Sequence, residues 1–170
     1  MIAIVYASRT GNTAMLAQRL SQVVPANDLI YYGYPHPDAL QADTFLVGSW
    51  TDKGDCCAEI AAFLSSLHGK KIFLFGTAGF GGSQAYFARV SEKMQQNIPA
   101  DNTLLGWYLC QGKMPAVVRA RYEAMAQSDP AKAKPMLDNF DRALTHPDAD
   151  DLYKLELALQ KALKTEQASF

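Results

Sequence analysis

The sequence carries almost no net charge and has no long apolar run. Sixteen basic and seventeen acidic residues leave a formal charge of -1, so no overall field gathers nucleic acid or an anionic membrane. No apolar segment approaches the length of a membrane span. The first residues, MIAIVYAS, lack the basic start and apolar core of a signal peptide. We therefore expect a cytoplasmic protein that binds neither nucleic acid nor membrane.

Cysteine is also scarce. The three cysteines, Cys56, Cys57 and Cys110, are an odd number, and two are adjacent, which does not suggest a disulfide framework or paired zinc ligands. We interpret them as reduced thiols that behave as small buried hydrophobes. No metal site is expected.

The residues that are present are typical of a soluble α/β domain. Hydrophobic residues make up 49% and charged residues 19% of the chain. Short apolar runs alternate with segments of helical periodicity, which favours a mostly parallel sheet covered by helices. The predicted strands are Ile2 to Ala7, Leu29 to Tyr32, Thr44 to Ser49, Lys71 to Gly76 and Thr103 to Cys110. The predicted helices between them are Thr13 to Val24, Asp55 to Leu67 and Gln84 to Gln96.

After the fifth strand the chain is longer than one closing helix requires. We predict helices over Met114 to Gln127 and Pro130 to Leu144, and a last helix over Asp150 to Lys164. Residues 1–170 are thus expected to form one domain, with 114–147 a helical insertion before the last helix. The insertion either recognises a redox enzyme or covers the sheet edge next to the fifth strand.

The first strand ends in a run of small polar residues that opens directly into a helix. Ligands of open parallel sheets bind at the carboxyl ends of the strands, and backbone N–H groups at a helix start attract anions. This turn therefore predicts a phosphate site, although an ordinary capped strand-to-helix turn is the alternative. The chain has neither a Walker loop nor a GxGxxG fingerprint here. The residues of the turn are Ser8, Arg9, Thr10, Gly11, Asn12 and Thr13.

Two further loops follow the third and fourth strands at the same edge. The third strand leads into Trp50, whose flat indole can cover a planar ligand, although packing in the core is the alternative. The fourth leads into a glycine-rich loop that lets the main chain approach a ligand, with Phe80 beside it. The candidate residues are Ser49, Trp50, Thr51, Asp52, Lys53 and Gly54 in one loop and Thr77, Ala78, Gly79, Phe80 and Gly82 in the other.

Together with Phe75-Gly76-Thr77 and Cys110-Gln111-Gly112-Lys113, these motifs resemble the flavodoxin family from Met1 to about Lys113. The resemblance implies a doubly wound five-stranded parallel sheet of order 2-1-3-4-5 and non-covalently bound FMN. By position, residues 8–13 would hold the phosphate, Ser49 to Gly54 one flank of the flavin, and Thr77 to Ser83 the other. Flavodoxins are commonly acidic and carry a stacking tyrosine in the last of these loops. Here the chain is nearly neutral, and Phe80 or Tyr86 would replace that tyrosine.

The resemblance implies electron transfer to or from a partner redox enzyme, with the flavin performing the chemistry. The sequence is also similar to small flavodoxin-like proteins that accompany bilirubin reductases in gut bacteria, which implies a flavin-dependent reductase such as bilirubin reductase as partner. A carrier needs no side-chain acid or base, and we name no catalytic residue. One alternative is an NAD(P)H-dependent FMN reductase acting on a quinone or similar small acceptor. The other, a flavin-free signalling module, fits poorly because a receiver domain has acidic residues where Ser8 and Ser49 stand.

Overall fold

Five parallel strands form the centre of the protein. The computed structural model describes residues 1–167, and the last three residues of the predicted domain lie outside that range. The strands are β1 (Ile2–Tyr6), β2 (Leu29–Gly33), β3 (Thr44–Asp52), β5 (Lys71–Ala78) and β6 (Thr103–Gln111), in the order β2-β1-β3-β5-β6. Without the short strand β4 (Asp55–Cys56), this is the predicted order 2-1-3-4-5, so the expected fold class is confirmed.

The third strand is longer than predicted. It was expected to end at Ser49, but β3 continues to Asp52 and pairs in antiparallel fashion with β4. The connecting residues, Lys53 and Gly54, have φ angles of 50° and 84°, and a two-residue turn with two positive φ angles suits a tight hairpin. The predicted start of the next helix at Asp55 is wrong for the same reason, because this residue is part of the hairpin.

Helices cover both faces of the sheet. The helices are α1 (Asn12–Val23), α2 (Ala58–Ser65), α3 (Gln84–Gln95) and α6 (Ala149–Gln167), and a 3₁₀ helix spans Pro37–Gln41. Alternate residues of each buried strand enter two separate cores: Ile4, Leu46 and Phe73 pack with α1 and α6, whereas Val5, Val47 and Leu74 pack with α2 and α3. This two-sided burial explains why the central strands are continuous apolar runs. None of the helices within residues 1–167 is long and apolar enough to cross a membrane.

Two more helices lie between β6 and α6. They are α4 (Ala116–Ala126) and α5 (Pro130–Ala143), which pack against each other. Helix α5 buries Ala133, Asn139, Phe140 and Ala143, whereas α4 has no buried residue. The edge strand β6 packs against α6. Asn139 of α5 also donates to the carbonyl oxygen of Gly79, just after β5, so the insertion lies beside the carboxyl ends of the strands.

Candidate functional site

The turn after β1 exposes the start of α1. Gly11 is the N-cap, with a φ of 90° that favours glycine,. Gly11 has no side chain that could cap the helix, and the first turn of α1 holds no acidic residue. Within residues 1–167, the N–H groups of Asn12 and Thr13 donate to no protein acceptor, whereas the N–H of Ala14 donates to Ser8 Oγ at 3.2 Å. Free donors at the positive end of a helix form an anion site.

Asn12 joins this turn to the loop after β6. Its Nδ2 donates to Thr10 Oγ1 at 3.1 Å and to the carbonyl oxygen of Lys113 at 2.9 Å. Its Oδ1 is buried and accepts no hydrogen bond from the described residues. A Cβ atom at Gly112 would lie 2.6 Å from Nδ2, so only glycine permits this approach. This buried oxygen is therefore an acceptor without a partner at the wall of the site.

Two predicted ligand residues bond to each other. The hydroxyl oxygens of Thr13 and Thr77 lie 2.9 Å apart, and both side chains are buried. This bond fixes the first turn of α1 to the carboxyl end of β5. The two hydroxyls therefore hold the loops in register, and Thr10, which is exposed, has the hydroxyl that is better placed to meet a ligand.

Trp50 lies at the edge of the site, on the last part of β3. It is half-buried, and the guanidinium of Arg9 lies 5.3 Å from the centre of its ring, a cation–π distance. Ser49 before it is buried, and its hydroxyl accepts from the N–H of Cys57 at 3.0 Å. The Ser49 side chain thus positions the start of α2. Asp52 and Lys53 form the exposed tip of the hairpin.

The glycine-rich loop after β5 forms the opposite side. Gly81 and Gly82 have φ angles of 99° and 52°, and Ser83 caps α3 by accepting from the N–H of Tyr86 at 3.2 Å. The ring of Phe80 is 49% exposed and lies edge-on to Tyr86, with ring centres 6.4 Å apart. The exposed ring of Phe80, beside the half-buried ring of Tyr86, is thus available to a planar ligand,.

A buried polar network holds this loop from below. The carbonyl oxygen of Gly79 accepts from Gln111 Nε2 at 3.2 Å and from Asn139 Nδ2 at 3.0 Å. Gln111 Nε2 also donates to Asn139 Oδ1 at 3.0 Å. Both amide side chains are buried. Sequence reasoning missed Asn139 because one asparagine within a helical pattern gives no sign of its partner.

These loops enclose two adjoining cavities. The first, of about 260 Å³, lies between the turn after β1 and α4. The second, of about 380 Å³, lies between the hairpin tip and the glycine-rich loop. Both are lined by Thr51 and Gly79, so they form one cleft along the edge of the sheet. The first cavity is lined by Arg9, Thr10, Asn12, Trp50, Thr51, Thr77, Gly79, Gly112, Lys113, Met114, Pro115, Val117, Val118 and Arg121. The second is lined by Thr51, Lys53, Gly54, Ala78, Gly79, Phe80 and Tyr86.

The cysteines lie outside this cleft. All three are free and buried. Burial, and secondarily the neighbouring carboxylate of Asp55, raises the pKa of Cys56 to about 12. Burial also raises the pKa of Cys57 and Cys110 above the usual range. These thiols are therefore protonated at neutral pH and poor nucleophiles.

One group of possible metal ligands lies at the start of α6. Asp148 and Asp151 cap each other: the N–H of each donates to the carboxylate of the other, at 2.9 and 3.0 Å. His146 Nδ1 lies 2.6 Å from Asp151 Oδ2. This reciprocal arrangement is that of a capping box, and it accounts for the cluster as the start of a helix.

Comparison with known proteins connects the fold and the cleft to one family. The model of the flavodoxin domain family matches residues 3–160. A flavodoxin-like domain-containing protein BilS from Clostridium symbiosum is 38% identical over 170 residues, covering 88% of this chain and 89% of that protein.

Solved structures share the fold at lower identity. A flavodoxin from Streptococcus pneumonia TIGR4 superimposes with a TM-score of 0.56 at 16% identity, covering 96% of this chain and 98% of that one. A flavoprotein from Lactobacillus acidophilus, solved in complex with FMN, gives a TM-score of 0.52 at 12% identity and covers 64% of this chain and 92% of that one. These structures show that the fold is shared. The family match supports FMN as the cofactor and a role in flavin electron transfer. Because the family model spans nearly the whole chain, the protein belongs to the flavodoxin domain family.

Proposed function

We propose that the protein binds FMN without a covalent link and carries electrons to or from a partner redox enzyme. The observation that carries this proposal is the start of α1, where the N–H groups of Asn12 and Thr13 have no acceptor among residues 1–167 and where Asn12 lines a cleft at the carboxyl edge of the sheet. An FMN molecule has a phosphate at one end and a planar ring at the other. The cleft offers an anion site at one end and, at the other, the exposed ring of Phe80 beside the half-buried ring of Tyr86, which fits this shape.

The residues fit the two ends of the cofactor in a specific way. The phosphate would lie at the turn after β1, and the ribityl chain would extend along the first cavity, where a hydroxyl can donate to Asn12 Oδ1. The ring would lie in the second cavity between the hairpin tip and the glycine-rich loop. The proposed binding residues remain Ser8, Arg9, Thr10, Gly11, Asn12, Thr13, Ser49, Trp50, Thr51, Asp52, Lys53, Gly54, Thr77, Ala78, Gly79, Phe80 and Gly82, of which Thr13, Ser49 and Thr77 act by fixing the loops.

When FMN is bound, it supplies the redox chemistry. The protein positions the cofactor through the backbone donors of α1 and through the hydroxyl of Thr10. Backbone groups of the glycine-rich loop are held at a fixed position by the amides of Gln111 and Asn139. This rigidity limits reorganisation around the ring, which is what an electron carrier requires. The mechanism assigns no proton transfer to any side chain.

The partner we propose is a flavin-dependent reductase such as bilirubin reductase. We propose that electron transfer between the two proteins takes place in the cytoplasm. The proposal rests on the similarity to a BilS protein and on three unpaired cysteines,. Recognition would involve the exposed surface of α4 and α5. Arg119 contributes little free charge there, because it pairs with Glu123 at 2.9 Å and also contacts Asp141.

The first test is the visible spectrum of the purified protein, with release and identification of any flavin. A bound flavin that proves to be FMN supports the proposal, whereas a colourless protein that takes up no added FMN contradicts it. Rapid oxidation of NADPH with a quinone as acceptor, in the absence of any partner, would instead favour the alternative of an FMN reductase.

A second test separates the phosphate from the ring. Thr10→Val should weaken FMN binding about ten- to 150-fold while riboflavin binding changes much less, because a hydrogen bond to a charged group contributes about 1.5–3 kcal/mol. Thr145→Val is the matched control, since Thr145 is exposed and does not line the cleft. An equal loss for both ligands would show that the turn after β1 does not hold the phosphate.

A further inference from the structure

Helix α4 buries none of its own residues. Within the described chain, its main packing partner is α5. Most helices of a globular protein bury an apolar stripe against the core, and an isolated helix of this length is marginal in water. Yet α4 has apolar side chains on the side that faces the first cavity, which Val117 and Val118 line. This side therefore faces a space beside the turn after β1 instead of a packed core.

The same cavity collects positive charge. Three of its lining residues are cations, Arg9, Lys113 and Arg121, and none is acidic. Among the described residues, none of the three cations forms a salt bridge with a carboxylate. The chain as a whole carries a formal charge of only -1, so these cations are a local feature of the cavity. They line the same cavity as Thr10 and Asn12 at the start of α1, where the free N–H donors already attract an anion.

We propose that α4 is part of the cofactor site: it covers the first cavity over the phosphate and ribityl chain of FMN, and Arg121 joins Arg9 and Lys113 in compensating the charge of the phosphate. This inference rests on the proposed binding of FMN and adds to it a helix that lies beyond the strand-end loops. A phosphate monoester carries a charge between -1 and -2 at neutral pH, which three cations and a helix start can balance.

Two physical consequences follow from this arrangement. The cofactor stabilises α4, because it covers the exposed Val117 and the remaining exposed surface of the half-buried Val118. Binding of FMN also becomes dependent on salt, since the attraction between exposed charges is screened within about 8–10 Å at moderate ionic strength. Riboflavin lacks the phosphate and should show neither the salt dependence nor the contribution of Arg121.

The experiment compares Arg121→Gln with the wild type by titration of the flavin-free protein with FMN and with riboflavin, at two salt concentrations. We expect the FMN dissociation constant to rise about tenfold, a weaker dependence on salt, and almost no change for riboflavin. Arg142→Gln is the control, because Arg142 is an exposed arginine on α5 that does not line the cavity. Hydrogen exchange provides a second readout: FMN should slow exchange in residues 116–121 of the wild type.

The outcomes separate this inference from the proposed function. If the wild type binds FMN but Arg121→Gln binds it equally well, or loses FMN and riboflavin to the same extent, α4 does not hold the phosphate and the inference is wrong. Unchanged exchange in residues 116–121 on FMN binding would likewise exclude a covering role for α4. If the wild type binds no FMN, the proposed function fails as well. Thermal unfolding of each flavin-free variant checks that the substitution has not altered the fold.

Discussion

Asn139 connects helix α5 to the glycine-rich loop after β5, and its replacement tests that connection directly. Its side chain is buried on α5, donates to the carbonyl oxygen of Gly79 at 3.0 Å and accepts from Gln111 Nε2 at 3.0 Å. Asn139→Ala removes both bonds. It also lets the glycine-rich loop move relative to β6, because only the 3.2 Å bond between Gln111 and Gly79 remains in this network.

The expected loss of stability is about 2 kcal/mol. Each buried hydrogen bond contributes a net of about 0.5–1.5 kcal/mol, and Gly79 and Gln111 still pair with each other, so no polar group is left fully unpaired. A small cavity adds to the cost. For a protein of this size, this loss lowers the melting temperature by roughly 4–8 °C. FMN binding should weaken as well, because the loop that carries Gly79 borders both cavities.

Thermal and urea unfolding of the flavin-free protein measure the effect, with the exposed Asn27→Ala as a control that should change stability by less than about 0.5 kcal/mol,. A double-mutant cycle with Gln111→Ala isolates the contact between the two amides, and we expect a coupling energy of about 1 kcal/mol. Additive effects of the two substitutions, or a melting temperature of Asn139→Ala equal to that of the wild type, would refute this account of the network.

Three further predictions concern the cleft and the core. Gly112→Ala should weaken FMN binding at least tenfold, because the new Cβ atom would lie 2.6 Å from Asn12 Nδ2. Titration with FMN measures the affinity, and an unchanged dissociation constant would show that the Asn12 amide can move out of the way. In a Trp107→Phe variant, which leaves Trp50 as the only indole, FMN should quench the tryptophan emission, and unchanged emission would place the flavin away from β3. Burial raises the pKa of Cys56 to about 12, above the value of about 8.5 in an unfolded chain, so the folded state favours the neutral thiol. The contribution of this thiol to the free energy of unfolding is complete below about pH 8 and is lost between about pH 8.5 and 12. Urea unfolding across this range measures the change, and a free energy of unfolding that rises with pH would contradict this prediction.

Much of the fold could be predicted because its signals are local. The apolar runs of β1, β3 and β5 and the periodicity of the helices depend on neighbours within a few residues of one another, and the sheet order followed from the family resemblance. The turn at residues 8–13 was also predicted correctly as the connection between a strand and a helix, because its glycine and small polar residues interrupt the apolar pattern; its role in holding a phosphate stays a prediction. The exact ends of the elements were harder to predict: the run Ser49 to Asp52 has no clear periodicity, and its strand structure depends on pairing with β4.

The sequence by itself determined the alternation of strands and helices and the turn that opens α1. Only the tertiary structure decided which distant residues complete the site. The amide of Asn12 meets the backbone of residue 113, and Asn139 meets residue 79, contacts that span 101 and 60 positions of the chain. Arg121 likewise reaches the cavity only because α5 holds α4 beside the strand ends. Such contacts depend on how the packed elements are oriented, and no local pattern of residues encodes that orientation.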